Sequence, residues 1–345
     1  MQRILVVRND KIGDFMLAWP ALAMLKASMS CEISVLVPTY TQALAKLCPS
    51  IDQVLIDPGM EAKAEAQQAL LAHVKEQQFD AVICLFSNFR NAKLMWQAKI
   101  PQRWAPATKL AQFFYNHKVT QRRSQSAKPE YEYNLDLVRA FLTHNNIATQ
   151  EPSPPYLSFT NKELADFRHT QAMQLKIAAE LPWVLVHAGS GGSANNLSVS
   201  QYAALIAGLW QAYPQAQVVL TAGPGEEDLA EQVVAQLGEI DPNQHRVAIA
   251  SGLALPDFCR LLACGNVFVA GSTGPLHIAA ALDVPTVGFF PLRRSATPLR
   301  WRPLNSEGRH LPFHPPANAE VEDMSQVDIA EVVAEVIPWA REYLS

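Results

Sequence analysis

Short, uninterrupted apolar runs alternate with helical segments along this chain, and this alternation limits the fold more than any other feature. The run at 3–8 (RILVVR) is typical of a parallel strand that is buried on both faces. The alternation stops at a polar, proline-containing stretch at 151–155 and begins again at Trp183–His187. Two successive β-α-β series predict two doubly wound α/β domains, each with a parallel sheet covered by helices.

The length of 345 residues supports this division, because it exceeds the usual size of a single core. We expect the domains to comprise residues 1–170 and 171–325, with a last helix at 326–345 that packs back on the first domain. Hydrophobic residues make up 49% of the chain and charged residues 17%, which is typical of a globular protein.

The sequence predicts a cytoplasmic protein without a metal or cofactor. It has no run as long as the roughly 18 apolar residues that span a bilayer. The first residues, MQRILVV, enter a strand directly and lack the pattern of a signal peptide. The five cysteines are odd in number and form no C-x-x-C pair, which indicates reduced, mostly buried thiols, and no zinc-site spacing is present.

A hydroxyl turn flanked by glycines predicts an anion site in the second domain. Residues 266–290 (NVFVAGSTGPLHIAAALDVPTVGFF) have the pattern of strand, turn, helix and strand. Pro275 suits the first turn of the helix, because its missing N–H would have no partner there. The unpaired N–H groups and the positive dipole end of such a helix favour a negative ligand. With His277 as a further donor, the turn predicts a phosphate-bearing ligand.

Ligands bind at the carboxyl ends of the strands in such sheets, and two further loops at these ends carry suitable chemistry. Arg8–Asp14 (RNDKIGD) follows the first strand and supplies carboxylates. His187–Ser193 (HAGSGGS) is rich in glycine and follows the first strand of the second domain. Together the three loops predict a cleft, with a donor held by the second domain and an acid or base supplied by the first.

Four motifs, in order along the chain, resemble glycosyltransferase family 9, the heptosyltransferases of the lipopolysaccharide inner core. They are DKIGD at 10–14, HAGSGGSANN at 187–196, TAGPGEED at 221–228 and STGPLHIAAALDVPTVGFF at 272–290. The resemblance implies the GT-B fold, in which two Rossmann-like domains face each other across a cleft. It also implies an inverting, metal-independent transfer of heptose from ADP-heptose to a lipopolysaccharide core or lipid A acceptor.

The resemblance assigns roles residue by residue. Asp14 matches the general base that removes the proton from the acceptor hydroxyl. Glu226 matches the acidic residue at the ribose hydroxyls, and Leu253 the apolar residue that packs on the adenine. The other residues assigned to the donor hold or flank its diphosphate: Ser190, Asn195, Ser272, Thr273, Gly274 and His277.

One position departs from the family pattern. After the glycine loop the pattern reads Lys-x-Trp-Pro, whereas residues 195–198 of this chain read NNLS. The amide of Asn195 donates a hydrogen bond but carries no charge, so part of the stabilisation of the leaving group would come from elsewhere. The arginines that are candidates to supply it follow in the sequence: Arg293, Arg294 and Arg300.

Between Asp80 and Glu130 the chain has no acidic residue but nine of its 28 basic residues, interleaved with aromatic residues. Such a stretch predicts attraction of a phosphorylated, Kdo-bearing acceptor and peripheral contact with the cytoplasmic face of the inner membrane. The residues expected to contact the acceptor are Asp10, Lys11, Arg90, Arg103, Arg122 and Arg123. A solvated face would explain the same charges. A pI of 6.1 without a reader motif argues against nucleic acid.

Several of these residues also have a purely structural interpretation. Asp14 would cap a helix, His277 would be a core histidine, and Glu226 would be an ordinary acidic residue of a first helical turn. Two other functions stay open as well. One is a related GT-B transferase or a sugar-nucleotide epimerase, and the other is a nucleotide-sugar-binding protein that has lost catalysis.

Overall fold

The computed structural model describes residues 1–108, 110–191, 195–240, 247–320 and 322–345. Contacts divide the chain into two compact units, Met1–Tyr156 and Leu157–Ser345. Within the described residues, each unit contains one six-stranded parallel sheet, and α-helices connect the first five strands of each in chain order. This confirms the prediction of two Rossmann-like α/β domains.

The first unit begins with a strand and alternates strands with helices. Its strands are β1 (Gln2–Val7), β2 (Cys31–Pro38), β3 (Gln53–Asp57), β4 (Ala81–Cys84), β5 (Gln102–Pro106) and β6 (His117–Val119). Its helices are α1 (Ile12–Met16), α2 (Trp19–Ser28), α3 (Gln42–Ala45), α4 (Ala64–Glu76), α5 (Phe89–Gln97) and α6 (Glu130–His144). A 3₁₀ turn, Leu110–Phe114, lies between β5 and β6.

The second unit repeats this plan after an initial helix, α7 (Asn161–Leu175). Its strands are β7 (Trp183–His187), β8 (Gln217–Ala222), β9 (Val247–Ser251), β10 (Val267–Gly271), β11 (Thr286–Phe289) and β12 (His310–Phe313). Its further helices are α8 (Val199–Ala212), α9 (Glu227–Ile240), α10 (Leu255–Cys264), α11 (Gly274–Ala281) and α12 (Ile329–Leu344).

The strand order has a switch point in each sheet. The first sheet has the order β3-β2-β1-β4-β5-β6 and the second the order β12-β11-β10-β7-β8-β9. The order reverses between β1 and β4 in one sheet and between β7 and β10 in the other. The crossover helices diverge to opposite faces at such a point, which leaves room for a ligand beyond the carboxyl ends of the strands.

Burial on both faces explains why the strand sequences are continuously apolar. The residues of β1 from Ile4 to Val7 are at most 2% exposed, and β1 lies between β2 and β4. On one face, Leu70 and Val74 of α4 and Met95 of α5 belong to the same core as Leu5 and Val7. The prediction of buried cysteines is also confirmed, since all five cysteines are buried.

The boundary between the units lies earlier than the sequence suggested. Helix α7, most of which was assigned to the first domain, belongs to the second unit. Its Arg168 donates to the carbonyl of Leu181 at 2.7 Å, and the guanidinium lies 4.2 Å from the ring centroid of Trp183. These contacts join α7 to the start of β7.

The last helix also differs from its expected position. The buried side chains of α12 lie in the core of the second unit: Val332, Val336, Ala340 and Leu344. The helix packs on α8, where the side chain of Val333 contacts Gly208, and the hydroxyl of Tyr213 donates to the carbonyl of Ile337. The expectation that this helix packs on the first domain is therefore corrected. None of the helices in the described part of the chain is long and apolar enough to cross a membrane.

Because Val336 is fully buried in the second unit, we expect Val336→Ala to lower the free energy of unfolding by about 2 kcal/mol through lost apolar burial and a residual cavity. Glu335→Ala, at the exposed neighbouring position, is the matched control and should change stability little. Urea denaturation of both variants measures this. Equal stabilities for the two variants would contradict the position of α12.

Candidate active site

In the first unit, a buried arginine organises the loop that follows β1. The side chain of Arg8 is only 3% exposed. Its Nε lies 2.9 Å from Oδ1 of Asp10, its Nη2 pairs with Asp14, and its Nη1 lies 3.6 Å from Oε1 of Glu130. Burial opposes the charge of Arg8, but the three carboxylates outweigh it and raise the pKa of the guanidinium. The carboxylate of Asp14, the candidate base, is thus held by a guanidinium group that is buried in the unit.

Asp10 is the carboxylate of this cluster whose pKa departs from its ordinary value. Burial raises the pKa of Asp10 to about 7, and the nearby negative charges of Asp14 and Glu130 act in the same direction against Arg8. Glu130 also accepts a hydrogen bond from Nη1 of Arg123 at 2.6 Å. Three carboxylates thus face two guanidinium groups, and a proton on Asp10 removes the excess negative charge at neutral pH.

Next to this cluster is a polar network that sequence analysis missed. The side-chain amides of Asn9 and Asn91 exchange hydrogen bonds at 3.0 and 2.8 Å, and Asn9 also donates to Asp57. Burial alone would raise the pKa of Asp57, but hydrogen bonds from Arg90, from the backbone of Gly59 and from Asn9 outweigh it and lower this pKa. The sequence did contain a signal for this network. Asn9 follows β1, Asp57 ends β3 and Asn91 lies in the first turn of α5, so all three lie at the same edge of the sheet.

Three of the four arginines expected to contact the acceptor make bonds within the unit. Arg90 is a bidentate partner of Asp57 and also donates to Gln67. Arg103 donates to the carbonyls of Phe114 and Ile100 at 2.9 and 2.6 Å. Arg123 holds Glu130, as described above. The side chains of Lys11 and Arg122, in contrast, are exposed.

In the second unit, three loops of interest follow neighbouring strands. The glycine loop follows β7, the segment 223–226 follows β8, and the hydroxyl turn 272–274 follows β10. Since β10, β7 and β8 are adjacent in the sheet, the three loops meet at one edge. Residues 192–194 of the glycine loop lie outside the described residues.

The glycine loop already holds a negative charge, that of Glu226. The Glu226 carboxylate accepts hydrogen bonds from the backbone N–H groups of Gly191 at 2.8 Å and Gly223 at 3.0 Å. A Cβ atom on Gly189 would overlap this carboxylate. Glycine is therefore needed at 189 for space, and the turn expected to bind an external anion is filled by a side chain of the same chain.

His187 supports this arrangement from below. Its Nε2 lies 3.4 Å from Oε2 of Glu226, and its Nδ1 lies 3.0 Å from the hydroxyl oxygen of Thr221. Burial lowers the pKa of His187 despite the neighbouring carboxylate, so the ring is neutral. Nδ1 also lies 3.1 Å from the carbonyl oxygen of Thr221, so the neutral ring donates either from Nδ1 to Thr221 or from Nε2 to Glu226.

Helix α11 presents its N-terminus at the same edge. Thr273 is the N-cap residue, and in the described structure its side chain makes no capping hydrogen bond but instead donates to the carbonyl of Gly271 at 3.3 Å. The first N–H groups of the helix are therefore left for a ligand, together with the positive end of the dipole. The helix begins at Gly274, one residue before the expected start.

His277, in the first turn of α11, is 2% exposed. Its Nδ1 has no hydrogen-bond partner within the described ranges. Burial lowers the pKa of His277 to about 4, so the ring is neutral at physiological pH and offers a hydrogen bond rather than a charge. A buried polar atom without a partner is uncommon in proteins and agrees with a site that a ligand completes.

The residue that departs from the family pattern lies near an arginine. Asn195 is exposed and donates its side-chain N–H to the backbone carbonyl of Glu322 at 2.9 Å. The carboxylate of Glu322 pairs with Nη1 of Arg293 at 3.0 Å. Glu322 thus brings Arg293 close to the position where the pattern has lysine.

Asn196, which sequence analysis did not single out, joins two of the loops. Its Nδ2 donates to the carbonyl of Ala188 at 2.8 Å, and its Oδ1 accepts from the hydroxyl of Tyr202 at 2.6 Å. A Cβ atom on Gly271 would lie 2.6 Å from that Oδ1, so Asn196 packs directly on the end of β10. Ser190 and Ser272 are half-buried at this edge, whereas Leu253 lies one strand farther away, beyond β9.

Residues 68–329 match the family model described as "Glycosyltransferase family 9 (heptosyltransferase)". A Haemophilus influenzae protein described as "Putative glycosyltransferase" is 47% identical over 344 residues, which cover 99% of this chain and 97% of that protein. "Lipopolysaccharide heptosyltransferase 2" of Salmonella typhimurium is 24% identical over 305 residues, which cover 84% of this chain and 82% of that protein.

The fold matches that of a solved structure. The Escherichia coli structure titled "ADP-heptose lps heptosyltransferase II" superposes with a TM-score of 0.78 and 19% sequence identity, covering 99% of both chains. At this level of identity the match establishes the fold alone, and it agrees with the two parallel six-stranded sheets described above.

The raised pKa of Asp10 predicts how stability depends on pH. The folded state holds this proton up to about pH 7, whereas the unfolded chain releases it at the ordinary value of an aspartate. Stability from this group is therefore lost as the pH rises between these values, by at most about 1.4 kcal/mol per pH unit. Asp10→Asn cannot titrate, so its stability relative to the wild type should increase from pH 4 to pH 7.

Urea denaturation at a series of pH values measures this difference, and Asp166→Asn on the exposed side of α7 is the control that should follow the wild type. Parallel pH profiles for Asp10→Asn and the wild type would contradict the assignment.

Proposed function

Because the chain belongs to glycosyltransferase family 9 and is a glycosyltransferase, we propose that it transfers heptose from ADP-heptose to the inner core of lipopolysaccharide. The support for the sugar and the acceptor comes from the family, which is described as heptosyltransferase, and from the Salmonella typhimurium relative, a lipopolysaccharide heptosyltransferase. The observation that carries a nucleotide diphosphate donor is the N-terminus of α11 beside the buried Nδ1 of His277, since among the described residues neither has a side-chain cap or a hydrogen-bond partner.

In the proposed reaction Asp14 is the general base. It takes the proton from the acceptor hydroxyl, whose oxygen attacks the anomeric carbon from the side opposite the diphosphate. The new C–O bond forms as the bond to the diphosphate breaks, so the configuration inverts and ADP departs with the bonding electron pair. Arg8 acts as a positioning residue, because its buried guanidinium fixes the Asp14 carboxylate.

In the donor site, fixed dipoles stabilise the developing negative charge of the leaving group. Hydrogen bonds to the diphosphate come from the N–H group of Gly274, the hydroxyls of Ser190 and Ser272, and neutral His277. Thr273 shapes the turn, because its own N–H and hydroxyl both donate to the carbonyl of Gly271. Glu226 accepts from the ribose hydroxyls, since a carboxylate has lone pairs beyond those that bind Gly191 and Gly223. Leu253 packs on the adenine.

The acceptor site uses exposed cations of the first unit. Lys11, next to Asp10, and Arg122 are exposed and suit the phosphate and carboxylate groups of a lipopolysaccharide core. Arg90, Arg103 and Arg123 shape the surrounding loops through their internal bonds. Transfer of heptose to such an acceptor takes place at the cytoplasmic face of the inner membrane, with which the protein is in peripheral contact.

Removal of the base should slow transfer strongly without loss of donor binding. We expect Asp14→Asn to lower kcat by about 10²–10⁴-fold, since general base catalysis contributes this much. The Kd for ADP, measured by calorimetry without added metal, should stay at the wild-type value.

The matched control is Asp10→Asn, because Asp10 contacts the same Arg8 and lies four residues away. It should keep kcat near the wild-type value, and loss of the expected contact between Asp10 and the acceptor would raise only KM. Loss of transfer in Asp10→Asn with activity left in Asp14→Asn would assign the base to Asp10 instead. Asp14 lies within α1, whose N-cap residue is Lys11, so it does not cap this helix. Loss of fold in Asp14→Asn, seen by circular dichroism, would instead favour a purely structural role for its pairing with Arg8.

Arg293 should supply the charge that Asn195 lacks. We expect Arg293→Ala to weaken ADP binding by roughly 3–10-fold, the effect of one partly exposed charged hydrogen bond, with Arg294→Ala as the exposed neighbouring control.

Titration of the wild type with ADP, UDP, GDP and CDP comes first. Preference for another nucleotide would change the donor, and no binding to any of the four would favour a protein that has lost catalysis.

A further inference from the structure

Helix α5 exposes large apolar side chains on one face. Phe89, Lys93 and Trp96 follow one another at intervals of four and three residues, which is the spacing of a single helix face. Phe89 is 57% and Trp96 53% exposed, whereas Met95 on the opposite side is fully buried. The helix is thus anchored in the core by one side and leaves an aromatic side outside.

The neighbouring 3₁₀ turn extends this surface. Leu110 is 72% and Phe113 75% exposed. The ring of Phe114 joins the two elements, because its centroid lies 5.3 Å from that of Phe89 and 5.8 Å from that of Trp96, both in edge-to-face geometry. We call the surface formed by Phe89, Lys93, Trp96, Leu110 and Phe113 the α5 face.

The charged residues of the segment that contains the α5 face are all basic. The segment 81–129 has no acidic residue, and α5 packs on β4 and on the turn Leu110–Phe114, neither of which contains one. Arg90 is paired with Asp57, but other cations of the segment are exposed to solvent: Lys93, Lys99, Lys118 and Arg122. Because the whole chain has a net charge of −4, this positive region is a local feature.

The composition of the α5 face distinguishes between two kinds of partner. The buried centres of protein–protein interfaces are depleted in lysine, yet Lys93 lies between the two aromatic residues of the helix. Tryptophan and phenylalanine next to lysine are instead typical of surfaces that enter the headgroup region of a bilayer, where the rings are buried and the cations meet anionic lipids.

We propose that the α5 face docks the first unit on an anionic lipid bilayer, with the aromatic side chains inserted among the headgroups. The proposal builds on the function proposed above, because a lipid-anchored acceptor lies in such a bilayer. The connection to the active site is short. Helix α5 is capped by Asn88, and Asn91 in its first turn bonds to Asn9, the residue after Arg8. Docking therefore fixes the orientation of the loop that contains Asp14.

The test is co-sedimentation of the full chain with vesicles of phosphatidylglycerol and phosphatidylcholine, compared with vesicles of phosphatidylcholine alone. The wild type should bind the anionic vesicles more tightly, and added salt should weaken this binding. A triple variant, Phe89→Ser, Trp96→Ser and Phe113→Ser, should lose binding by about tenfold or more, since each ring removed takes apolar area from the membrane contact. All three positions are exposed, so the fold should be retained.

A matched control changes exposed apolar residues outside the α5 face. Met173→Ser with Leu299→Ser, at positions 62% and 48% exposed in the second unit, should bind vesicles like the wild type. Lys93→Glu should lower binding to anionic vesicles and leave binding to phosphatidylcholine unchanged. Equal vesicle binding by the triple variant and the wild type, or no binding by the wild type, would overturn the proposal.

Two further readouts separate this proposal from the function on which it builds. If the aromatic substitutions change the sedimentation velocity of the protein without vesicles, the α5 face is a contact between copies of the chain, and the membrane proposal fails. ADP affinity and transfer to a delipidated, soluble core acceptor should be unchanged in the triple variant, whereas transfer to the acceptor in membranes should fall. If the protein binds vesicles but no nucleotide, the proposed docking by the α5 face stands and the proposed transferase function fails.

Discussion

A parallel sheet with helices on both faces leaves no room for polar chemistry except at the ends of its strands, and both units obey this constraint. The strands β1 and β7 are buried along nearly their whole length, and each changes at its carboxyl end into a loop of polar and small residues. In the first unit that loop is organised by a buried cation, Arg8, and in the second by a carboxylate, Glu226, bound to backbone N–H groups. The two sites have opposite electrostatic designs on the same topology.

The sequence was sufficient for the strands that are continuous apolar runs, because a run such as 3–8 has the same meaning whatever surrounds it. It did not predict β5, β6 and β12, whose sequences contain no such run. It was also sufficient to bring Asp10, Asp14 and the hydroxyl turn to strand ends, since that follows from chain order. The predicted packing of α12 on the first domain was wrong for a physical reason. A helix with an apolar stripe must bury it, but the stripe does not specify which core receives it.

Charge counting overestimated the basic surface for a related reason. The stretch 81–129 has no acidic residue, yet Arg90 finds its carboxylate in Asp57 at the end of β3, outside the stretch. Arg103 is held by backbone carbonyls, which carry no sequence signal at all. Similarly, the insertion of Glu226 into the glycine loop depends on backbone N–H directions that the identity of the residues does not fix. Contacts of this kind require coordinates.

The carboxylate of Glu226 makes the two halves of the second unit's ligand edge unlike each other. The backbone N–H groups of Gly191 and Gly223 are in use and hold a negative carboxylate, whereas the start of α11 is positive and uncapped in the structure as described. A molecule with a neutral, hydroxyl-bearing end and a doubly charged end would be repelled in one orientation and attracted in the other. This edge of the sheet therefore selects one orientation of such a molecule by electrostatics, before the shapes of the ligand and the site come into contact.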